Sequence, residues 1–182
     1  MSYYIFAGRF QPFHLGHLDV LKQSVLNLEK DDVLVVAVVT KIKGHAIDDK
    51  FAKSAAEHHF PDRNPWLPIV ALKAISKLVK EMYPLNEILT TVLPSPDTSW
   101  TEIKKWYPAD RIWIIPDAGE EFDNKKVEFY QKCGERVVRY SDNTGISGKD
   151  LRDYYQLGDY ESFKKHMPAN ITDVYWEGEN RC

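Results

Sequence analysis

The chain has 182 residues, of which 43% are hydrophobic, and its formal net charge is -3 at pH 7. This length suits one domain, residues 1–182, and the balanced charge gives no general basis for binding a nucleic acid. No apolar run approaches the roughly 20 residues that span a bilayer, and no signal peptide opens the chain. Two cysteines, Cys133 and Cys182, do not make a disulfide framework. We therefore expect a soluble, cytoplasmic protein with no membrane partner.

Hydrophobic runs and amphipathic stretches alternate along the chain. The stretch 18–30 has apolar residues every three or four positions, which is typical of a helix, and the valine-rich run 33–40 is typical of a strand buried in a parallel sheet. Strands separated by helices predict an α/β fold with a doubly wound parallel sheet of about five strands, followed by C-terminal helices. The predicted strands are 3–7, 33–40, 87–93, 111–116 and 136–140, and the other predicted helices are 65–83, 99–107 and 125–134.

The first candidate site is the stretch GRFQPFHLGH, residues 8–17, which follows the first strand directly. Gly8 allows a ligand to approach the backbone closely, and a helix begins near His14. His14 and His17 can lie on one helix face beside the free backbone N–H groups of the first turn, and Arg9 adds a cation. This group of donors suits a phosphate.

Two other interpretations of the histidine pair stay open. Each histidine could simply be hydrogen-bonded at a helix start. A zinc site is the second alternative, but the metalloprotease helix has histidines four apart with a glutamate between them. Here the spacing is three, and no third ligand is in register. We therefore predict no protein metal ligands.

A second candidate site is the stretch GISGKDLRDYY, residues 145–155, after the last predicted strand. Ser147 can cap a helix that has Asp150 in its first turn, and this alone explains much of the local sequence. Lys149 and Arg152, however, place two cations where the helix dipole disfavours them. Cations in that position indicate a polyanionic ligand.

Together these stretches resemble the two signatures of the HxGH nucleotidyltransferase superfamily, and the first is especially similar to that of the archaeal-type nicotinamide mononucleotide adenylyltransferases. The second is similar to the family's Ile-Ser-Ser/Gly-Thr-x-x-Arg, except that Lys149 stands where threonine is usual. The resemblance implies a Rossmann-like fold, ATP as a substrate, transfer of AMP, and Mg²⁺ held mainly by the nucleotide phosphates. It implies catalysis by His14, His17, Arg9 and Arg152, and nucleotide binding by Gly8, Arg9, Phe10, His14, His17, Ile146, Ser147, Gly148, Lys149 and Arg152.

The middle of the chain gives weaker evidence about the acceptor than the two signatures give about the nucleotide. RNPW (63–66) and LPSPDTSW (93–100) resemble family segments that border the acceptor pocket. A tryptophan face there can attract a pyridinium ring, although each tryptophan could instead be a buried aromatic anchor. The family's arginine after the first segment is missing, and Lys41 and Lys43 are either acceptor contacts or solvated lysines. The implied acceptor-binding residues are Asn64, Trp66, Asp97 and Trp100.

The predicted partners are thus ATP and a phosphorylated small molecule, with nicotinamide mononucleotide first among the acceptors. One alternative is the same chemistry with CTP or with another acceptor. A different alternative is a nucleotide-binding sensor without turnover. The stretch 41–64 is a candidate lid or specificity loop, His45, His58, His59 and His166 are predicted to be surface residues, and self-association stays open.

Overall fold

The computed structural model describes residues 1–40, 65–96, 100–119 and 121–178. Its five strands form one parallel sheet in the order β3-β2-β1-β4-β5. They are β1 (Tyr3–Gly8), β2 (Val33–Thr40), β3 (Ile88–Pro94), β4 (Arg111–Asp117) and β5 (Arg136–Ser141). The chain leaves one edge of the sheet after β3 and re-enters beside β1, so the strand order reverses between β1 and β4. This confirms the predicted doubly wound α/β fold.

Seven helices and one 3-10 turn connect the strands and close the described part of the chain. They are α1 (Leu15–Leu26), α2 (Pro68–Met82), α3 (Trp100–Ile103) with a 3-10 turn at Lys104–Trp106, α4 (Glu121–Lys132), α5 (Gly148–Leu157), α6 (Tyr160–Lys165) and α7 (Thr172–Trp176). The predicted C-terminal helices are thus present. No helix in the described ranges has the length and apolar character needed to cross a membrane.

Several helix boundaries differ by a few residues from the sequence prediction, and the largest differences are at the end of α1 and the start of α4. α1 ends at Leu26 rather than at residue 30, because the backbone N–H of Asn27 turns back to the carbonyls of Ser24 and Val25. α4 begins at Glu121, four residues before the amphipathic stretch 125–134 but inside the acidic stretch 117–124, which the sequence indicates as a helix start without an assigned function. Glu121 and Asp123 in its first turn interact favourably with the positive end of the helix dipole. A search for apolar periodicity does not detect this effect.

The sheet separates two hydrophobic clusters, because successive side chains of a strand point to opposite faces. Phe6 of β1 packs with residues of α1, α2, α5, α6 and α7 on one face, which we call the α1 face. Its neighbour Ile5 packs with Trp113 and with residues of α3 and α4 on the other, the α4 face. The valines of β2 are buried on both faces, as the sequence predicts.

Candidate active site

A cleft of about 260 Å³ opens at the carboxyl edge of the sheet, where β1 and β4 separate. This is the switch point at which doubly wound sheets bind their ligands. All ten residues that the resemblance assigns to nucleotide binding line this cleft, from Gly8 to His17 in the first signature and from Ile146 to Arg152 in the second. The structure therefore brings the two signatures together.

Direct contacts join the two signatures. The guanidinium Nη1 of Arg152 donates a hydrogen bond of 2.9 Å to the carbonyl oxygen of Gln11. A Cβ atom placed on Gly148 would lie only 3.3 Å from the same oxygen. The glycine at the start of α5 thus lets the second signature approach the backbone of the first, which a larger residue would hold apart.

The two histidines form a reciprocal cap at the start of α1. The backbone N–H of Gly16 donates to Nδ1 of His14 at 3.2 Å, and the backbone N–H of His14 donates to Nδ1 of His17 at 3.3 Å. Their ring centroids are 3.8 Å apart. A neutral imidazole has one proton, so an accepting Nδ1 places that proton on Nε2. Both side chains line the cleft and present Nε2–H as their donor to a ligand.

Burial keeps both imidazoles neutral. It lowers the pKa of His14 to about 4; the carboxylate of Asp142 opposes this shift, and the charge of Arg152 adds to it. Burial also lowers the pKa of His17 well below its ordinary value, and repulsion from His14, when that ring is protonated, and from Lys126 acts in the same direction. At neutral pH the pair therefore consists of two uncharged hydrogen-bond donors.

The first two backbone N–H groups of α1, those of Leu15 and Gly16, already have partners, which corrects the sequence prediction that the first turn offers them to a ligand. The N–H of Leu15 donates to the carbonyl of His166 at 3.1 Å, and that of Gly16 donates to the His14 ring. His166 is also not simply a surface residue, since it is half-buried and its ring stacks on Tyr154. The histidine side chains are therefore the donors that this end of α1 presents at the cleft in place of these two N–H groups.

The loop before α1 is held in an unusual backbone conformation. Phe10 has φ of +50°, in the left-handed region, and its carbonyl accepts a hydrogen bond of 3.0 Å from the hydroxyl of Tyr175. Burial raises the pKa of Tyr175, so the hydroxyl keeps its proton and remains a donor. A Cβ atom on Gly8 would lie 2.8 Å from the Phe10 ring, which explains the glycine. Phe10 in turn meets His17 edge-on at 5.1 Å.

Gln11 joins this loop to the segment before α2. Its side-chain amide donates to the carbonyl of Trp66 at 2.7 Å, and its side-chain oxygen accepts from the backbone N–H of Trp66 at 3.2 Å. The pair acts like one rung of a β-ladder. No sequence pattern indicated this partner, because the two residues are 55 positions apart.

In the second signature the predicted cap is confirmed. The Ser147 hydroxyl oxygen accepts from the backbone N–H of Asp150 at 3.3 Å, and the hydroxyl donates to the Asp150 carboxylate at 2.8 Å. The helix start is therefore built as the sequence indicates, while Lys149 and Arg152 line the cleft beside it.

The two tryptophans assigned to the acceptor do not line the cleft. Trp66 is 1% exposed, donates Nε1–H to the carbonyl of Tyr175 and packs on the α1 face. Trp100 is 6% exposed and packs against Trp113 on the α4 face. Since the sheet lies between them, they cannot enclose one ring, and the structure favours their alternative role as aromatic anchors. Asn64 and Asp97, like Lys41 and Lys43, lie outside the described residues.

Three charged cleft residues were not predicted from the sequence. Asp142, at the end of β5, accepts hydrogen bonds from the backbone N–H and the hydroxyl of Thr144 and lies against Gly16. Asp123 and Lys126 line the cleft from α4. Asp123 and Lys126 lie on the helix that follows β4, and β4 is one of the two strands at the switch point. The sequence prediction considered only the loop after β1 on this basis, and applying the same rule to the loop after β4 would have found these two residues.

The carboxylates that line the cleft are candidate ligands for Mg²⁺. Within the described ranges no three His, Cys, Asp or Glu side chains are gathered as a metal site. Mg²⁺ takes oxygen ligands and commonly binds through one or two carboxylates together with substrate phosphates. Asp123 and Asp142 are oxygen donors of this kind, so the cleft fits a cation that a nucleotide brings with it.

Comparison with known proteins gives partial matches in sequence and a longer one in fold. A family model described as cytidylyltransferase-like matches residues 5–59, which include the first signature. The nicotinamide-nucleotide adenylyltransferase of Saccharolobus solfataricus is 45% identical over 51 residues, 28% of each chain. That of Archaeoglobus fulgidus is 39% identical over 46 residues, 25% of each chain. This chain thus covers about a quarter of the length of these curated relatives.

The likeness in fold extends over nearly the whole chain. A crystal structure from Vibrio parahaemolyticus, described as a candidate nicotinate-nucleotide adenylyltransferase, matches with a TM-score of 0.55 at 15% identity. The match covers 96% of this chain and 99% of that one. The chain is thus similar in its first part to the cytidylyltransferase-like family model and to archaeal nicotinamide-nucleotide adenylyltransferases, and similar in fold over nearly its whole length to the Vibrio parahaemolyticus structure.

Proposed function

We propose that the protein is a nucleotidyltransferase that transfers AMP from ATP to the phosphate of nicotinamide mononucleotide or of a related phosphomonoester. The observation that carries this proposal is the close pair of neutral histidines, His14 and His17, which line one cleft together with the second signature. The similarity to archaeal nicotinamide-nucleotide adenylyltransferases supports this acceptor. Because both substrates are phosphorylated metabolites, we assign the reaction to the cytoplasm.

The proposed reaction is a single in-line displacement. An oxygen of the acceptor phosphate attacks the α-phosphorus of ATP, and the bond from that phosphorus to the α,β-bridging oxygen breaks. Pyrophosphate leaves with the electron pair, so no proton has to be delivered to it. Two neutral Nε2–H donors, on His14 and His17, suit such a step, because they stabilise charge on the α-phosphate without transferring a proton.

Cations in the second signature hold the rest of the triphosphate. Lys149 and Arg152 line the cleft beside the start of α5, and Arg9 lines it from the first signature. Arg152 also donates to the Gln11 carbonyl, so it connects polyphosphate binding to the position of the histidine loop. A Mg²⁺ ion bound with the nucleotide would neutralise part of the charge on the phosphates, and Asp142 and Asp123 are the carboxylates that could hold it.

The test is release of pyrophosphate by the purified chain. ATP and CTP are each combined with nicotinamide mononucleotide, nicotinate mononucleotide and phosphopantetheine, in the presence of Mg²⁺. We expect fastest release with ATP and nicotinamide mononucleotide, and formation of the dinucleotide in equal amount. A preference for CTP would refute the adenylyl assignment, and ATP binding without release for any acceptor would refute the enzyme.

A variant separates catalysis from binding. His17→Ala removes one Nε2–H donor, and loss of one such transition-state donor typically lowers kcat by about 100- to 1,000-fold. ATP affinity, measured by calorimetry, should change much less, since Lys149, Arg152 and Arg9 remain. Equal losses in kcat and in ATP affinity would show that His17 serves only in binding.

One specific observation favours a second candidate function. The family model that matches residues 5–59 is described as cytidylyltransferase-like, and the same phosphate chemistry serves CTP. The pyrophosphate-release assay described above decides between ATP and CTP, since each nucleotide is tested with the same three acceptors.

A further inference from the structure

The last helix in the described ranges contacts the loop between β1 and α1, residues 9–14, from the α1 face of the sheet. Tyr175 of this helix, α7, is 0% exposed and does not line the cleft. Its hydroxyl donates a hydrogen bond of 3.0 Å to the carbonyl of Phe10, 165 residues earlier in the sequence. The bond joins the C-terminal part of the fold to the first signature, and no step of the proposed displacement uses it.

Tyr175 is itself held firmly. Its backbone carbonyl accepts a hydrogen bond of 2.7 Å from the indole Nε1–H of Trp66. Its ring meets the Trp66 ring edge-on, with the ring centroids 5.4 Å apart, a favourable geometry for two aromatic side chains. Because both the backbone and the ring are fixed, the hydroxyl is a rigid donor, and a rigid donor fixes the position of its acceptor.

The loop that Tyr175 contacts depends on such support. Phe10 has φ of +50°, a conformation that is unfavourable for a residue with a side chain and that persists only where surrounding contacts impose it. Burial raises the pKa of Tyr175, and a hydrogen bond with the backbone of Phe13 acts in the opposite direction. The hydroxyl therefore meets the loop at both ends of the stretch 10–13, immediately before His14.

The same stretch determines where the ring of His17 lies. The Phe10 ring meets the His17 ring edge-on at 5.1 Å, and the Phe13 ring lies 5.4 Å from it. The backbone N–H of His14 donates to Nδ1 of His17 at 3.3 Å. Because Nδ1 accepts this bond, the single ring proton is on Nε2, the donor that the proposed reaction uses. A displacement of the loop would therefore displace this donor.

We propose that Tyr175 is a positioning residue: its hydroxyl fixes the loop before α1 and thereby holds Nε2–H of His17 where it can donate to the α-phosphate of ATP. This inference rests on the proposed function. Tyr175 touches no substrate and transfers no proton, and the bonds that form and break are those of the displacement at the α-phosphorus. Its effect is geometric, because a displacement of about 1 Å in an active site can cost as much as 100-fold in rate.

The experiment compares Tyr175→Phe with Tyr107→Phe. Each change removes one hydroxyl from a buried ring and takes a hydrogen bond from a main-chain carbonyl, since the Tyr107 hydroxyl donates to the carbonyl of Pro94. Tyr107 packs on the α4 face and does not line the cleft. It is therefore a matched control for the loss of a buried hydroxyl away from the histidines.

The first readout is kcat in the pyrophosphate assay with ATP and nicotinamide mononucleotide. We expect Tyr175→Phe to lower kcat roughly 10-fold, since a displaced donor keeps part of its effect, while the KM for ATP stays within about twofold. In the His17→Ala background the same change should alter kcat by no more than about twofold, because the positioned donor is gone. A merely structural role would lower kcat equally in both backgrounds. Tyr107→Phe should match the wild type.

The second readout needs no turnover. Aromatic rings shift the NMR signals of neighbouring protons, so the signals of the His17 ring protons report its position relative to Phe10. We expect these signals to move in Tyr175→Phe and to stay unchanged in Tyr107→Phe. Phe10→Leu keeps the carbonyl but removes the ring beside His17, so it should also move the signals and lower kcat. Thermal unfolding of every variant checks that the fold is retained.

Each contrary result refutes a defined part of the reasoning. With an active wild type, an unchanged kcat in Tyr175→Phe, an equal loss in both backgrounds, or His17 signals that do not move in Tyr175→Phe or in Phe10→Leu would overturn the positioning role and leave the transferase intact. A wild type without turnover, in which Tyr175→Phe still moves the His17 signals, would support the coupling and overturn the transferase. Absence of both turnover and signal movement would overturn both.

Discussion

Replacing His14 by asparagine isolates the effect of its buried, neutral ring on stability. Asparagine is among the preferred N-cap residues, and its side-chain oxygen can accept from the Gly16 N–H as Nδ1 of His14 does. The variant therefore keeps the cap of α1 and removes the titrating ring. At neutral pH we expect a loss of about 1 kcal/mol in the free energy of unfolding, from the smaller side chain and the lost contact with His17.

The informative quantity is the change of stability with pH. The pKa of His14 is about 4 in the fold and 6.5 ordinarily, so the folded state keeps the ring neutral while the unfolded chain gains a proton as the pH falls below 6.5. The free energy of unfolding therefore decreases from pH 6.5 down to about pH 4 and then levels off. Between pH 7 and pH 5 this one group contributes a decrease of about 2 kcal/mol.

Urea unfolding at half-unit steps from pH 5 to pH 8.5, for the wild type and for His14→Asn, measures this contribution. We expect the wild type to lose about 2 kcal/mol more than the variant between pH 7 and pH 5. Between pH 7.5 and pH 8.5 both proteins should run parallel, which serves as the internal control. Parallel curves over the whole range would refute the conclusion that His14 is buried in its neutral form.

Two further substitutions test the packing around the site. Gly16→Ala would place Cβ 2.7 Å from the carboxyl carbon of Asp142, so we expect urea unfolding to show a loss of up to about 2 kcal/mol, despite the roughly 1 kcal/mol that alanine gains over glycine in a helix. In the Asp142→Ala background, Gly16→Ala should raise the free energy of unfolding, because the carboxyl group is gone. Equal effects of Gly16→Ala in both backgrounds would show that Asp142 does not cause the loss. Trp66→Phe leaves the Tyr175 carbonyl without its donor, so we expect a loss of about 1–3 kcal/mol in unfolding free energy but an unchanged KM for nicotinamide mononucleotide. A selective rise in that KM would instead restore Trp66 as an acceptor contact.

The sequence by itself determined the sheet and the local structure of the two signature stretches. Alternation of buried strands and amphipathic helices depends on local periodicity, and β2 shows it on both faces. The two signatures are local as well: Ser147 caps its own helix, and His14 and His17 are one turn apart. Such features depend on neighbouring residues and are visible in the sequence, whereas the tertiary fold brings all ten predicted residues into one cleft.

Only the tertiary structure decided which side chains reach that cleft from distant segments. Trp66 and Trp100 lie on opposite faces of the sheet, and neither sequence segment indicates to which face its tryptophan belongs. Lys126 enters the cleft because β4 lies beside β1, an adjacency that crossover topology sets and local sequence does not. The same packing buries His14 and lowers its pKa, since desolvation depends on everything that surrounds a group. The residue type was visible in the sequence, but its protonation state is a property of the fold.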